Sequence, residues 1–407
     1  MTADTKHRPF KKNIISVLMI LMGILVVLSF NTIYTTSVGY APFVVGLIFL
    51  SSILFLLDPV TLISYKSILL LAIYYLVAII LIFVSDFSNF SIFNFILDFP
   101  LCLLIVNYLI DKDLMVNFLR SLCNIIFIVA CVSLIFWFLS SILKVISPTS
   151  SYLINWGGYK KVNSFYNMYF EAQGLSIDGI LSNLGTFSNI NRNCAIFVEA
   201  VMANFIFSIG FILNELIEKN MYKRVVFLIA VLSTFTTSGI VTFCFFTLYL
   251  VSNMKSDNRF AFFFKSLIYL IAFILGSYIT ISLLQNKFST LSGNVRSIKI
   301  TSEINAFLNS PILGNGINRY TKGSSNALSA VLADGGILLM GLYYFPLLVY
   351  FIRCINKLDS KIWLIVLMFF LLDTTVIQYT NLMYILVGIS WNILLIGENK
   401  IKMWRRG

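Results

Sequence analysis

Histidine is almost absent from this chain: its 407 residues include one, His7, in a basic N-terminal stretch. The rest of the chain therefore has no histidine-based metal site, nucleophile–histidine pair or proton relay. The six cysteines lie in or beside apolar runs without paired spacing, which argues against a disulfide framework or a zinc site. We predict neither a metal centre nor a cofactor.

Charge is also scarce. Charged residues make up 11% of the chain and apolar residues 59%, and the mean hydropathy is +0.92, which is outside the range of soluble domains. Apolar runs of roughly 17 to 25 residues can each cross about 30 Å of hydrocarbon as a helix, whereas barrel strands would alternate polar and apolar residues. We predict an all-α, polytopic membrane protein in which residues 1–407 form a single integral membrane domain.

The runs predict about twelve transmembrane helices. They lie near residues 13–30, 41–57, 67–84, 91–110, 122–146, 194–213, 224–251 (two helices), 261–284, 328–352, 361–377 and 382–396. Residues 224–251 are divided because the hydroxyl-rich stretch from Ser233 to Gly239 favours a break. Two long loops remain, residues 147–193 and 285–326, and we expect both to face outward.

The net charge of +12 is mostly a signal of membrane orientation. With the N-terminus inside, most basic residues fall in cytoplasmic segments, as the positive-inside rule requires. If residues 224–251 formed one span, the basic C-terminus would lie outside. We therefore predict a bacterial inner (plasma) membrane protein with both termini cytoplasmic, in contact with the bilayer and with no nucleic-acid partner.

The second long loop departs from this rule because it is basic. Solvated charge would explain that, since long loops escape the rule; the alternative is an anion site for a lipid pyrophosphate, which suits the planar fork of arginine. The loop sets one acid, Glu303, against Lys287, Arg296, Lys299, Arg319 and Lys322.

The same loop contains a predicted short amphipathic helix. Ile300, Ile304, Phe307 and Leu308 recur at helical spacing, and Pro311 ends the pattern. Such a helix would lie at the membrane interface and hold its cations near lipid headgroups. The Gly314-Asn315-Gly316 turn that follows either lets backbone approach a ligand or reverses the chain.

Residues 296–326 and their continuation resemble the O-antigen polymerase and O-antigen ligase superfamily. The resemblance rests on Arg296, the amphipathic helix, Asn309-Ser310-Pro311-Ile312-Leu313-Gly314-Asn315-Gly316, Ser325-Asn326-Ala327-Leu328 and Ala333-Asp334-Gly335-Gly336. Two upstream segments also resemble the family, Leu184-Gly185-Thr186-Phe187-Ser188-Asn189-Ile190-Asn191-Arg192-Asn193 and Thr236-Thr237-Ser238-Gly239. Gly239 stands where the family's break motif carries an arginine. Ligases of the family typically carry a histidine where Ser325 stands, so the resemblance favours a Wzy-type polymerase.

The resemblance implies a GT-C-like glycosyltransferase that joins undecaprenyl-pyrophosphate-linked repeat units of O-antigen or capsule at the outer face, by inverting, metal-independent transfer. A flippase and a chain-length regulator of the same pathway would be its partners. The alternatives are a ligase that transfers finished glycan to lipid A-core or another acceptor, and a lipid-linked oligosaccharide flippase. The implied site comprises Arg192, Arg296, Lys299, Arg319 and Lys322 for the pyrophosphate, Asp334 or Glu199 as general base, and Gly314, Gly316 and Asn326 in the loop motif.

Carboxylates within predicted spans are candidates in their own right, because buried charge in lipid is costly. Glu199 follows Arg192 by seven residues, which would place both on one helix face; helix packing would also explain Glu199 and Asp334. Asp373 has Thr374 and Thr375 as neighbouring structural partners.

The first long loop is aromatic. Interfacial anchoring explains most of its rings, but Trp156 and Tyr159 are candidates for stacking on sugars. Glu171 and Asp178 are further candidate bases there, and solvated loop carboxylates are the simpler interpretation.

Overall fold

The structure is a computed structural model, which describes residues 7–59, 65–85, 90–156, 158–172, 190–253, 267, 291–321, 323–324, 326–357 and 359–396. The chain divides into two compact units. The first unit comprises Met1–Leu76, Phe93–Thr234 and Tyr379–Gly407, and the second comprises Val77–Ile92 and Phe235–Gln378. The predicted span at residues 261–284 lies outside the described residues, except for Leu267.

The described residues are mostly helical. The helices are α1 (His7–Leu28), α2 (Ile33–Val38), α3 (Ala41–Leu57), α4 (Tyr65–Val84), α5 (Phe90–Asp111), α6 (Met115–Trp137), α7 (Ala200–Leu213), α8 (Met221–Ser233), α9 (Thr237–Ser252), α10 (Leu291–Asn309), α11 (Ala327–Asn356), α12 (Ile362–Thr374) and α13 (Asn381–Ile396). Single π-helical turns, Phe138–Ile142 and Asn214–Glu218, extend α6 and α7.

Within the described ranges, three helical stretches are long and apolar enough to cross a membrane, namely Met115–Ile142, Ala200–Glu218 and Ala327–Asn356. Other helices are apolar but shorter, and they expose large apolar side chains: Phe49 on α3 is 64% exposed and Phe83 on α4 is 84% exposed. Water would penalise such surfaces, whereas lipid solvates them. By length and composition, these helices are therefore typical of a membrane protein.

The break predicted within residues 224–251 is confirmed. Helix α8 ends at Ser233 and α9 begins at Thr237, and Phe235 between them has a φ of 44°. The Thr236 hydroxyl caps α9 by accepting a hydrogen bond of 2.9 Å from the Gly239 amide. Two helices thus form where a continuous apolar run stands in the sequence.

The all-α prediction is wrong for the first long loop, which contains a small antiparallel sheet. Its strands are β1 (Ser150–Asn155), β2 (Tyr159–Phe165) and β3 (Tyr169–Ala172), paired in chain order. The side chains of Ile154, Val162 and Phe170 are buried within the first unit. The apolar and polar residues of β2 partly alternate, which favours a strand with one buried face.

Candidate functional site

The second long loop contains α10, which confirms the predicted helix and extends it to Leu291–Asn309. One face holds the buried side chains of Glu303 and Ala306, while Ile298, Ile304 and Leu308 on the other side are 68%, 45% and 65% exposed. The helix ends two residues before Pro311, as expected for a residue that cannot continue it.

The residues that follow α10 pack into a break in α11. Gly336 interrupts α11 with a φ of 57° and a ψ of −151°, so the helical bonds from residues 337 and 338 back to 333 and 334 are replaced. The amides of Ile337 and Leu338 donate instead to the carbonyls of Pro311 and Ile312, at 2.9 and 3.4 Å.

The two carbonyls released by the break are also paired. The Ala333 carbonyl accepts from the Asn315 amide and the Asp334 carbonyl from the Gly316 amide, each at 2.9 Å. Four backbone hydrogen bonds thus join residues 311–316 to residues 333–338, and they satisfy the groups that the break would leave bare.

The glycines make this close approach feasible. A Cβ on Gly314 would lie 2.3 Å from the Asp334 carbonyl oxygen, and one on Gly316 would lie 2.7 Å from the Ser85 Cα. A Cβ on Gly336 would lie 2.6 Å from the carbonyl oxygens of both Pro311 and Ile312. The predicted close approach of backbone at Gly314 and Gly316 is therefore to the protein's own backbone.

Asp334 fixes this loop. Its side chain is fully buried, and Oδ1 accepts hydrogen bonds from the Asn318 amide (3.1 Å) and the Thr321 hydroxyl (2.8 Å). These bonds give Asp334 a structural role, which was the alternative interpretation of this carboxylate from the sequence. Its predicted role as general base stays a prediction with no support from this geometry.

Asn326 begins α11 and connects it to α12. Its Oδ1 accepts from the amides of Leu328 (2.8 Å) and Ser329 (3.1 Å), which makes it an N-cap. Its Nδ2 donates to Oδ1 of Asp373 at 2.7 Å. The motif asparagine therefore holds a carboxylate at the N-terminal end of α11, where helix amides carry partial positive charge.

Glu303 is a part of this cluster that sequence analysis did not single out for a role. Oε2 of this buried side chain accepts from the Ser329 hydroxyl. Burial raises the pKa of the Glu303 carboxyl, while hydrogen bonds from Ser329 and Ser324 and the charge of Lys299 oppose the rise. Its position four residues after Lys299, on one helix face, was the available signal.

The predicted cations have distinct positions. Arg296 and Lys299 are half-buried on α10, and Lys299 shares the face of Glu303 that packs on α11. The Lys299 ammonium would lie 4.0 Å from a Cβ placed on Gly323, in the approach to α11. Arg319 is exposed, with its guanidinium 6.0 Å from the ring centre of Tyr320. Lys322 lies outside the described residues.

No protein-family model, no curated protein and no solved structure matches this chain. The site therefore has to be interpreted from its own residues. Its polar cluster comprises the half-buried Lys299, the capped N-terminus of α11, and the carboxylates of Glu303 and Asp373.

In the first unit, the predicted helix face shared by Arg192 and Glu199 is wrong. Helix α7 begins at Ala200, and Glu199 is its N-cap residue in an extended conformation, so residues 192–199 are not helical. Glu199 instead pairs with Lys160 of β2, with 3.0 Å between Oε1 and Nζ. The segment before α7 is extended because it pairs with the chain that follows α1. Thr32 and Phe197 form an isolated antiparallel bridge there.

The other first-loop candidates lie on or beside the sheet. Trp156 is half-buried and Tyr159 is 83% exposed, and both stand at the turn between β1 and β2. Glu171 is buried, and its carboxylate accepts from Ser140 (2.6 Å), Ser141 (2.7 Å) and Asn191 (2.8 Å). Glu171 therefore attaches the sheet to the π-helical end of α6. Asp178 lies outside the described residues.

Proposed function

We propose that this protein is a membrane glycosyltransferase that polymerises lipid-pyrophosphate-linked oligosaccharide repeat units, for O-antigen or capsule. The observation that carries the proposal is the placement of Lys299 on α10, near Gly323 and Glu303 at the approach to α11, with Arg296 half-buried about one turn earlier on the same helix. That frame is rigid because residues 311–316 are bonded into the break of α11. A rigid cationic frame suits a reaction in which the leaving group is a pyrophosphate.

The chemistry of the frame supports a phosphate ligand. The arginine fork can form two parallel hydrogen bonds to phosphate oxygens, and the lysine ammonium adds a point charge. The N-terminal amides of α11 add a positive dipole end, although Asn326 already occupies two of them. These groups would stabilise the charge that develops on the departing polyprenyl pyrophosphate and so replace a metal ion.

The exposed apolar side of α10 supports a lipid-linked substrate. Ile298, Ile304 and Leu308 would lie in the interface of the outer leaflet, which places Arg296 and Lys299 at headgroup depth. About twelve spans, cytoplasmic termini, and a flippase and chain-length regulator as partners belong to this proposal. The pyrophosphate contacts that the resemblance implies for Arg192, Arg319 and Lys322, and the sugar contacts suggested for Trp156 and Tyr159, stay predictions.

Arg296→Ala tests the proposal. In a deletion strain complemented with this variant, we expect surface glycan of single repeat units, because loss of an electrostatic contact to the leaving group slows transfer by about 100-fold. Gel analysis of the glycan gives the result, and an immunoblot shows that the variant reaches the membrane. Arg353→Ala, in the last turn of α11, is the control and should give the normal ladder.

The deletion strain itself separates the alternatives. Single lipid-linked repeat units facing outward indicate a polymerase, whereas accumulated lipid-linked polymer would indicate a ligase. Repeat units trapped on the cytoplasmic leaflet, detected by surface labelling, would indicate a flippase. A normal ladder with Arg296→Ala would refute the proposed role of the cationic frame.

A further inference from the structure

Four acidic residues lie in the described part of the second unit, and they differ in what surrounds them. The side chains of Glu303 and Asp334 are fully buried. Asp359, which precedes α12, lies 3.6 Å from the ammonium of Lys361. Asp373, in the last turn of α12, is exposed. Among these four, Asp373 alone combines an exposed carboxylate with a place beside the N-terminal end of α11.

The structure orients this carboxylate. Asn326 must direct its Oδ1 toward the amides of Leu328 and Ser329, so its Nδ2 has to face Asp373. The bond uses Oδ1 of Asp373, and no described residue donates a hydrogen bond to Oδ2. Asp373 is thus held by one oxygen and presents the other, which is the arrangement of a positioned general base.

The two threonines that follow Asp373 in the chain form no hydrogen bond to its carboxylate in the described part of the structure. The Thr374 hydroxyl donates to the Phe370 carbonyl at 3.0 Å, and Thr375 is buried. The sequence-based expectation that these residues would be structural partners of Asp373 is therefore not what the structure shows. The partner of Asp373 is the motif residue Asn326, 47 positions away in the chain.

We infer that Asp373 is the base that activates the acceptor hydroxyl, an inference that rests on the proposed function. Oδ2 of Asp373 takes the proton as the hydroxyl oxygen of the acceptor sugar bonds to the anomeric carbon of the donor glycan. The bond from that carbon to the pyrophosphate oxygen breaks, and its electron pair leaves with the polyprenyl pyrophosphate. Asn326 is the positioning residue for this step.

The test uses the full-length protein, purified in detergent, with lipid-linked repeat units isolated from the deletion strain. For Asp373→Asn we expect polymer formation to slow by at least about 100-fold, because the amide cannot accept the proton. Asp373→Glu should recover part of the rate, because it restores a carboxylate. Asp359→Asn, at the other end of α12, is the matched control and should keep the wild-type rate.

A binding assay distinguishes a catalytic role of Asp373 from a structural one. Thermal shifts with undecaprenyl pyrophosphate should be the same for Asp373→Asn and wild type, whereas Arg296→Ala should reduce the shift. Wild-type polymerisation by Asp373→Asn would overturn the inference and leave the proposed function intact. Loss of both binding and rate, with a lower melting temperature, would make Asp373 structural and also overturn it. A wild-type protein that neither polymerises nor binds the probe would overturn the proposed function itself.

Discussion

The two long loops are fixed in place by different kinds of bond. The first is attached chiefly through a side chain, since Glu171 of β3 accepts three hydrogen bonds from Ser140, Ser141 and Asn191, beside one backbone bond of 2.9 Å from the Phe170 amide to the Ala195 carbonyl. The second is attached chiefly through backbone, by four hydrogen bonds that enter the break in α11, and the Asp334 side chain adds two more. A side-chain attachment depends on one carboxylate, whereas a backbone attachment depends on glycines that admit another chain segment.

The carboxylates of Glu171 and Asp373 differ in how many of their oxygens are engaged. Glu171 is buried with both oxygens engaged, as expected of a group that stabilises a fold. Asp373 is exposed, and Asn326 engages one of its oxygens. A site needs a rigid frame and a group with spare hydrogen-bonding capacity. The second loop and α11 supply the frame, and α12 supplies the group.

Gly336→Ala should disrupt the attachment of the second loop most strongly. The conformation of Gly336 is one that only glycine adopts readily, and a Cβ would lie 2.6 Å from two carbonyl oxygens. We expect the free energy of unfolding to fall by about 3 kcal/mol, and polymerisation to be lost. Thermal unfolding of the purified protein measures the first effect and the glycan ladder the second.

Gly341→Ala on the same helix is the matched control. A Cβ on Gly341 would meet no atom within 4 Å, so alanine should stabilise the helix by up to about 1 kcal/mol. The two substitutions add the same methyl group and should move the melting temperature in opposite directions. Equal effects would show that the break in α11 does not constrain the second loop.

Local signals in the sequence predicted part of this architecture. The hydroxyl-rich break after Ser233, the helix that stops before Pro311 and the glycine turn at Gly314 all depend on neighbouring residues, and the structure contains each of them. Short-range backbone preferences decide such features, so a sequence is enough to find them.

Contacts between distant residues were not predictable in the same way. The start of α7 is delayed to Ala200, and the preceding segment makes a backbone bridge to Thr32, far away in the chain. The bonds from Asn326 to Asp373 and from Ser329 to Glu303 likewise join separate helices. Hydropathy gives the helices but no register between them, so it could not show which carboxylate meets the motif.

The second-largest effect should come from Glu171→Ala, which disrupts the attachment of the first loop. The change leaves three donors, on Ser140, Ser141 and Asn191, without their acceptor, and should cost about 3 kcal/mol of unfolding free energy. Limited proteolysis should then cut the sheet faster than in the wild type. Glu171→Gln retains one acceptor oxygen and should lie between the two. A wild-type cleavage rate for Glu171→Ala would mean that other contacts hold the sheet.

The smallest effect should come from the second link of the first loop, the ion pair of Lys160 and Glu199. Both side chains are partly exposed, at 35% and 25%, so water screens the pair and Lys160→Ala should cost about 0.5 kcal/mol. A double-mutant cycle with Glu199→Gln measures the coupling, which should weaken at high salt. Lys161→Ala, next to Lys160 on the same strand, is the control and should show no coupling to Glu199. A coupling as large as the Glu171→Ala effect would show that the ion pair, and not the buried carboxylate, fixes the first loop.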